Sequence, residues 1–199
     1  MAIEDFNKAL HLKPDYADTI YNNIGDVYNK LGKYQFAINN FSKAIHLNHV
    51  YIKAYNNRAT TYGKLGQHQR AIEDYNEVIR LKPDYPPVYF NRGNAYINLG
   101  QYQTAIEDLN KVIRLDPASF DAYNNRAFIY IKLGQYQQAL EDYSKAILLK
   151  PDYTDAYNNR AIVCFTVGDK LSGCRDAQKA CKLGDCKTLE GAKGKGLCR

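Results

Sequence analysis

The sequence predicts an all-α solenoid built from antiparallel helix pairs, and three observations predict it. The string Tyr55-Asn56-Asn57-Arg58-Ala59 returns as Tyr123-Asn124-Asn125-Arg126-Ala127 and as Tyr157-Asn158-Asn159-Arg160-Ala161. Variants stand at Tyr21 to Gly25 and at Tyr89 to Gly93, so the step is 34 residues throughout. Leu-Gly recurs with the same step at Leu31-Gly32, Leu65-Gly66, Leu99-Gly100 and Leu133-Gly134, and Val167-Gly168 follows it. Each repeat also carries two apolar stripes at helical spacing, split by that glycine and closed by Pro83, Pro117 or Pro151. A proline there cannot extend the preceding helix and punctuates the repeat. One helix pair cannot bury its apolar face alone, so the repeats must stack.

In chain order, residues 1–17 read as a half repeat, because Ala2, Phe6, Ala9 and Pro14 match a second helix whose first helix is missing. Five full repeats follow at 18–51, 52–85, 86–119, 120–153 and 154–187, and residues 188–199 read as a short C-terminal cap. Small residues such as Gly93, Ala127, Ala105 and Ala139 let paired helices approach closely.

Composition bounds the rest. The chain has 199 residues, of which 45% are hydrophobic and 24% charged, which argues against bulk disorder. No window approaches 18 consecutive apolar residues, so no membrane span is expected. The net charge of +6 is not the concentrated charge of a nucleic-acid binder. Met1-Ala2-Ile3-Glu4-Asp5 has neither the basic nor the apolar region of a signal peptide.

A 34-residue period with these markers resembles the tetratricopeptide repeat (TPR) family. The family pattern appears as Tyr89, Gly93, Tyr96, Ala105, Leu109, Val112 and Pro117. It appears again as Tyr123, Ala127, Tyr130, Ala139, Tyr143, Ala146 and Pro151. The resemblance implies a right-handed TPR superhelix and a non-catalytic scaffold that binds an extended peptide or a partner protein on the concave face of its first helices.

Four arginines, Arg58, Arg92, Arg126 and Arg160, each have an aspartate sixteen residues on: Asp74, Asp108, Asp142 and Asp176. The first full repeat has Ile24 and Asn40 instead, so both members change together. This covariation reads as an Arg–Asp pair linking the two helices of a repeat.

On the first-helix face, Asn23, Asn57, Asn91, Asn125 and Asn159 form a ladder, preceded in four repeats by Asn22, Asn56, Asn124 and Asn158. Asparagine is a mediocre helix former, so its repetition needs a reason. Each amide offers a donor and an acceptor that can grip a peptide backbone. The ladder resembles that of the TPR region of O-linked N-acetylglucosamine transferases. Its alternative is a repeat-consensus residue that bonds neighbouring helices. The same face grades from Asn29, Lys30, Lys53 and Lys64 early to Ile97, Phe128, Ile131, Ile162 and Phe165 late. The expected ligand therefore has an apolar anchor for the later repeats and a polar or acidic end for the earlier ones. The carboxylate clamp of chaperone-binding TPR domains is not matched. Its positions hold Asn22, Asp26, Pro87 and Asn91, or one repeat later Asn56, Thr60, Asn91, Asp121 and Asn125, without the cations it requires.

All five cysteines lie in the last 36 residues. Cys174 and Cys181 sit seven residues apart on one helix, about 10 Å, beyond disulfide reach. Folding about Gly184 brings Cys181 near Cys186, and a bend in the glycine-rich tail brings Cys174 near Cys198, with Cys164 left free. Two readings stand: paired staples of the cap in an oxidising compartment, periplasmic or secreted, or reduced core residues in the cytoplasm. A zinc site lacks CxxC pairs, so no metal is expected. No phosphate loop, HExxH or nucleophile elbow is present, so neither a cofactor nor an enzymatic centre is expected. Lys187, Lys193, Lys195 and Arg199 supply basic charge to the tail without the aromatic interleaving that nucleic-acid binding uses. The alternative functions are a substrate-recruiting fragment of a larger enzyme or secretion factor, and a scaffold that self-associates through its N-terminal half repeat.

Overall fold

A helix, a glycine turn and a second helix make the recurring element of the structure, a computed structural model that describes residues 14–198. Residues 1–13 of the half repeat, and the self-association surface read there, lie outside the described residues. Pro14–Tyr16 form one 3-10 turn, and eleven α-helices follow, with no strand among the described residues. They are α1 (Ala17–Lys30), α2 (Tyr34–Leu47), α3 (Ile52–Lys64), α4 (His68–Leu81), α5 (Pro86–Asn98), α6 (Tyr102–Leu115), α7 (Phe120–Lys132), α8 (Tyr136–Leu149), α9 (Thr154–Thr166), α10 (Lys170–Lys182) and α11 (Lys187–Gly194). They fall into two compact units that divide between Gln101 and Tyr102.

In the N-terminal unit α1 pairs with α2 and α3 with α4. The second helix of each pair packs on the next first helix, and α1, α3 and α5 touch in a row. In the C-terminal unit α7 pairs with α8 and α9 with α10, and α7 and α9 touch in the same way. The cap helix α11 packs on both α9 and α10, so it takes the place of a further first helix.

The turns follow from backbone chemistry. Gly32 has φ of 70°, in the left-handed region that side-chain-bearing residues avoid. Its N–H donates to the Asn29 carbonyl and the Lys33 N–H to the Tyr28 carbonyl, which closes a Schellman motif and satisfies the last carbonyls of α1. Gly134 does the same after α7, with Gln135 N–H donating to the Tyr130 carbonyl.

Close helix approach needs small side chains, and Ala37, Ala71, Ala105 and Ala139 are all fully buried. Phe41, Leu109 and Tyr143, on the same second helices, are fully buried as well. The Phe41 ring reaches so far that a Cβ on Gly25 would lie 2.5 Å from it.

Polar contacts set the register. Arg58 on α3 donates from Nε and Nη2 to both carboxylate oxygens of Asp74 on α4, at 2.8 and 2.7 Å. Arg126 grips Asp142, and Arg160 grips Asp176, in the same fork. Each arginine also reaches back to the preceding second helix: Arg58 to Ser42, Arg92 to Asn76, Arg126 to Asn110 and Arg160 to Ser144. Each guanidinium therefore ties together up to three helices. Each also lies over tyrosine rings one turn away, Arg58 over Tyr55 and Tyr62 and Arg126 over Tyr123 and Tyr130. This stacking gives part of the high tyrosine content a structural role. At the corresponding place near Arg160 stands Cys164, a free buried thiol whose pKa burial pushes up.

Candidate functional site

In the N-terminal unit the first-helix face is a network of amides and charges. Asn22 on α1 is fully buried and donates to Asn23 at 3.4 Å. Asn57 on α3 donates to Asn22 Oδ1 at 3.1 Å and to Asp26 Oδ1 at 2.9 Å. Both N–H groups of Asn57 are thus committed to the neighbouring helix, and its Oδ1 has no hydrogen-bond partner among the described residues. Burial raises the pKa of Asp26, against the opposing pull of Lys53 and Lys30.

Two of the three expected cations of this face are already engaged. Lys53 Nζ stands 4.0 Å from Asp26 Oδ2. Lys64 Nζ donates to Asn29 Oδ1 at 3.1 Å and lies over the Tyr34 ring. Lys30 is exposed at the end of α1. Between α3, α4 and α5 opens a cleft of about 290 Å³ whose lining includes Thr60, Lys64, Asn91, Asn94 and Asn98. Of the ladder, Asn91 lines this cleft. Asn56 does not, and its Oδ1 is buried without a partner. Ile97 is half-buried on α5.

In the C-terminal unit the same face is apolar. Phe128 is 38% and Ile162 50% exposed. Lys132 Nζ lies over the Phe128 ring. Ile131 turns partly inward and packs on the core around Tyr143 and Val163. Asn124 donates to Asn125, while its own Oδ1 is buried and unpartnered. The Asn159 side chain, half-buried, has no hydrogen-bond partner among the described residues.

The cap closes on this end. Cys174 on α10 is joined to Cys198 with Cα atoms 5.6 Å apart, and Cys181 is joined to Cys186. Asn158 Nδ2 donates to Asp185 Oδ2 at 2.9 Å, which pins the turn entering α11. Between α9 and α11 lies a cleft of about 470 Å³, lined by Ile162 and Phe165 among others.

The structure thus brings Asn22 and Asn57 together, and Ile162 with Phe165. It turns Ile131 aside and engages Lys53 and Lys64 with their neighbours. Asp26, Asp185 and the short polar set Ser42, Asn76, Asn110 and Ser144 escaped the sequence reading as partners, although the last four recur at the 34-residue step. Among the described residues, no group of three or more His, Cys, Asp or Glu side chains is placed to hold a metal ion. No described helix is long and apolar enough to cross a membrane.

Comparison with known proteins gives a consistent answer. Family signatures described as "TPR repeat" match residues 25–66, 62–100 and 93–134, and one described as "Tetratricopeptide repeat" matches 120–153. A MamA crystal structure is 25% identical, with 91% of this chain and 96% of that chain covered, at a TM-score of 0.78. MamA from Desulfovibrio magneticus RS-1, from residue 41 to its end, is 20% identical over 84% and 94% of the two chains, at 0.79. YrrB, described as a TPR protein with an unusual peptide-binding site, is 18% identical over 96% and 99%, at 0.76. No curated protein sequence matches the chain. The chain belongs to the tetratricopeptide repeat family, and its fold is the all-α helix-pair solenoid of a protein-interaction scaffold.

Proposed function

We propose that the chain is a non-catalytic scaffold that binds an extended segment of a partner protein along its first helices. The observation that carries this reading is the amide-lined cleft between α3, α4 and α5, where Asn91 and Asn94 stand beside Thr60 and Lys64. Such a lining offers donors and acceptors to a peptide backbone without selecting side chains. Asn57 supports it, since its N–H groups bond the neighbouring helix and its carbonyl is left to accept from a ligand N–H. The engaged Lys53 and Lys64 favour a polar over a strongly acidic segment at this end.

The test is a random-peptide display selection on the full chain, with an Asn91→Ala/Asn125→Ala variant as control and its unfolding midpoint recorded. Enrichment on the native chain that is lost on a folded variant is the expected result. Absence of enrichment overturns the extended-peptide reading.

A further inference from the structure

The cleft between α9 and the cap helix α11 differs in chemistry from the rest of the first-helix face. Its floor is apolar: Ile162 and Phe165 from α9, Ala192 from α11, and Leu197 from the tail. Leu197 precedes Cys198, whose bond to Cys174 fastens the tail to α10. The Phe165 ring is seated by a paired change in the repeat. Gly173 stands where Ala37, Ala71, Ala105 and Ala139 stand in the others, and a Cβ there would lie 2.5 Å from the ring. The rim is basic. Lys187 and Lys195 line the cleft, both are exposed, and neither ammonium meets an acid among the described residues.

The nearest acids in sequence do not neutralise this rim. Asp185 accepts from Asn158 Nδ2 and from the Lys187 backbone N–H. Glu190 on α11 is exposed and forms no ion pair among the described residues. Among the described residues, no acidic side chain lines the cleft. Asn159, a ladder amide without a hydrogen-bond partner among the described residues, lies three and seven residues before Ile162 and Thr166, so all three share one helix face. Thr166 also lines the cleft.

From this juxtaposition we propose that the α9–α11 cleft is a binding site for an acidic peptide segment with one bulky apolar side chain. The apolar side chain seats on Phe165 and Leu197. Flanking carboxylates meet Lys187 and Lys195, and the peptide backbone bonds Asn159. A buried apolar anchor within a charged rim gives affinity from the first and orientation from the second. The site rests on the peptide-binding reading above and gives its apolar end a sign of charge: the acidic part of the ligand lies beside its anchor, at the cap.

The probe is a capped hexapeptide of sequence DEFLDE, titrated into the full oxidised chain and followed by backbone amide chemical shifts, with KKFLKK as its counterpart. Shifts centred on Ile162, Thr166, Gly191 and Ala192, seen with DEFLDE and absent with KKFLKK, are expected. Lys187→Glu/Lys195→Glu weakens DEFLDE binding at least tenfold, whereas Lys145→Glu/Lys179→Glu, with the same change in net charge, does not. Equal response to both peptides, shifts elsewhere, or unchanged affinity in the Lys187→Glu/Lys195→Glu variant overturns the site. Cleft shifts together with a silent display selection would leave the cleft and remove the extended groove. Display enrichment without cleft shifts would do the reverse.

Discussion

Asp26 in the N-terminal unit and Phe128 in the C-terminal unit occupy the same place in the repeat, 102 residues apart. Around Asp26 the amides are bonded: Asn57 donates to Asn22 and to Asp26 itself. Around Phe128 the counterpart of Asn57, which is Asn159, faces no carboxylate acceptor at that position and has no hydrogen-bond partner among the described residues. The counterpart of Asn22, which is Asn124, has a buried Oδ1 without a partner. The next helix tells the same story. Tyr75 OH lies 3.3 Å from Thr60 Oγ1, whereas Tyr143 OH is buried and unpartnered, because Phe128 stands where Thr60 would. One register position therefore decides whether the amides beside it bond the neighbouring helix or stand without a partner, while the scaffold stays the same.

The scaffold half of that comparison carries the largest effect. Arg58→Ala and Arg126→Ala each leave a buried aspartate without its guanidinium, at a cost of about 3 kcal/mol. Urea unfolding should show similar losses for the two variants, and a marked inequality would break the view that the units share one framework.

The amides come next. Asn57→Ala strands Asn22 Oδ1 and Asp26 and costs about 1–3 kcal/mol, whereas Asn159→Ala breaks no bond and stays within about 0.5 kcal/mol. Equal losses in denaturant midpoints would refute the distinction between the two faces.

The tyrosines give a smaller contrast. Tyr75→Phe removes the contact with Thr60 and costs about 0.5–1.5 kcal/mol, while Tyr143→Phe removes only an unsatisfied hydroxyl and is neutral or stabilising. Thermal midpoints of the two variants decide it.

The smallest effect is one of pH. Burial raises the Asp26 pKa above its unfolded value, despite Lys53 and Lys30. The folded state therefore holds that proton to higher pH than the unfolded chain. Its penalty is present above the folded pKa and is relieved as pH falls through it. Asp26→Asn should then be the more stable protein at pH 7, and its advantage should vanish near pH 3. An advantage that is the same at both values would show that the charge is not the cause.

The helix pairs, the glycine turns and the three arginine forks seen within the units were legible in the sequence, because each recurs at a local spacing or at the 34-residue step. The back-contacts to Ser42, Asn76, Asn110 and Ser144 obey the same step. They are hard to recognise in the sequence because short polar residues on a second helix look like ordinary solvent-facing positions. The lysine face shows a different limit. Lys53 and Lys64 occupy first-helix positions, but a long side chain finds whatever acceptor the neighbouring helix offers, here Asp26 and Asn29. Ile131 shows the same limit from the apolar side, since it packs partly inward where Phe128 and Ile162 do not.

By itself, then, the sequence determined the repeat, its helices and its turns, since periodicity and glycine placement are properties of neighbouring residues. Only the tertiary structure decided which amides are taken and which remain open. Their partners lie 31 and 35 residues away on another helix, as Asp26 and Asn22 do from Asn57. A hydrogen bond formed in three dimensions depends on whether that one distant position holds a carboxylate or a phenyl ring.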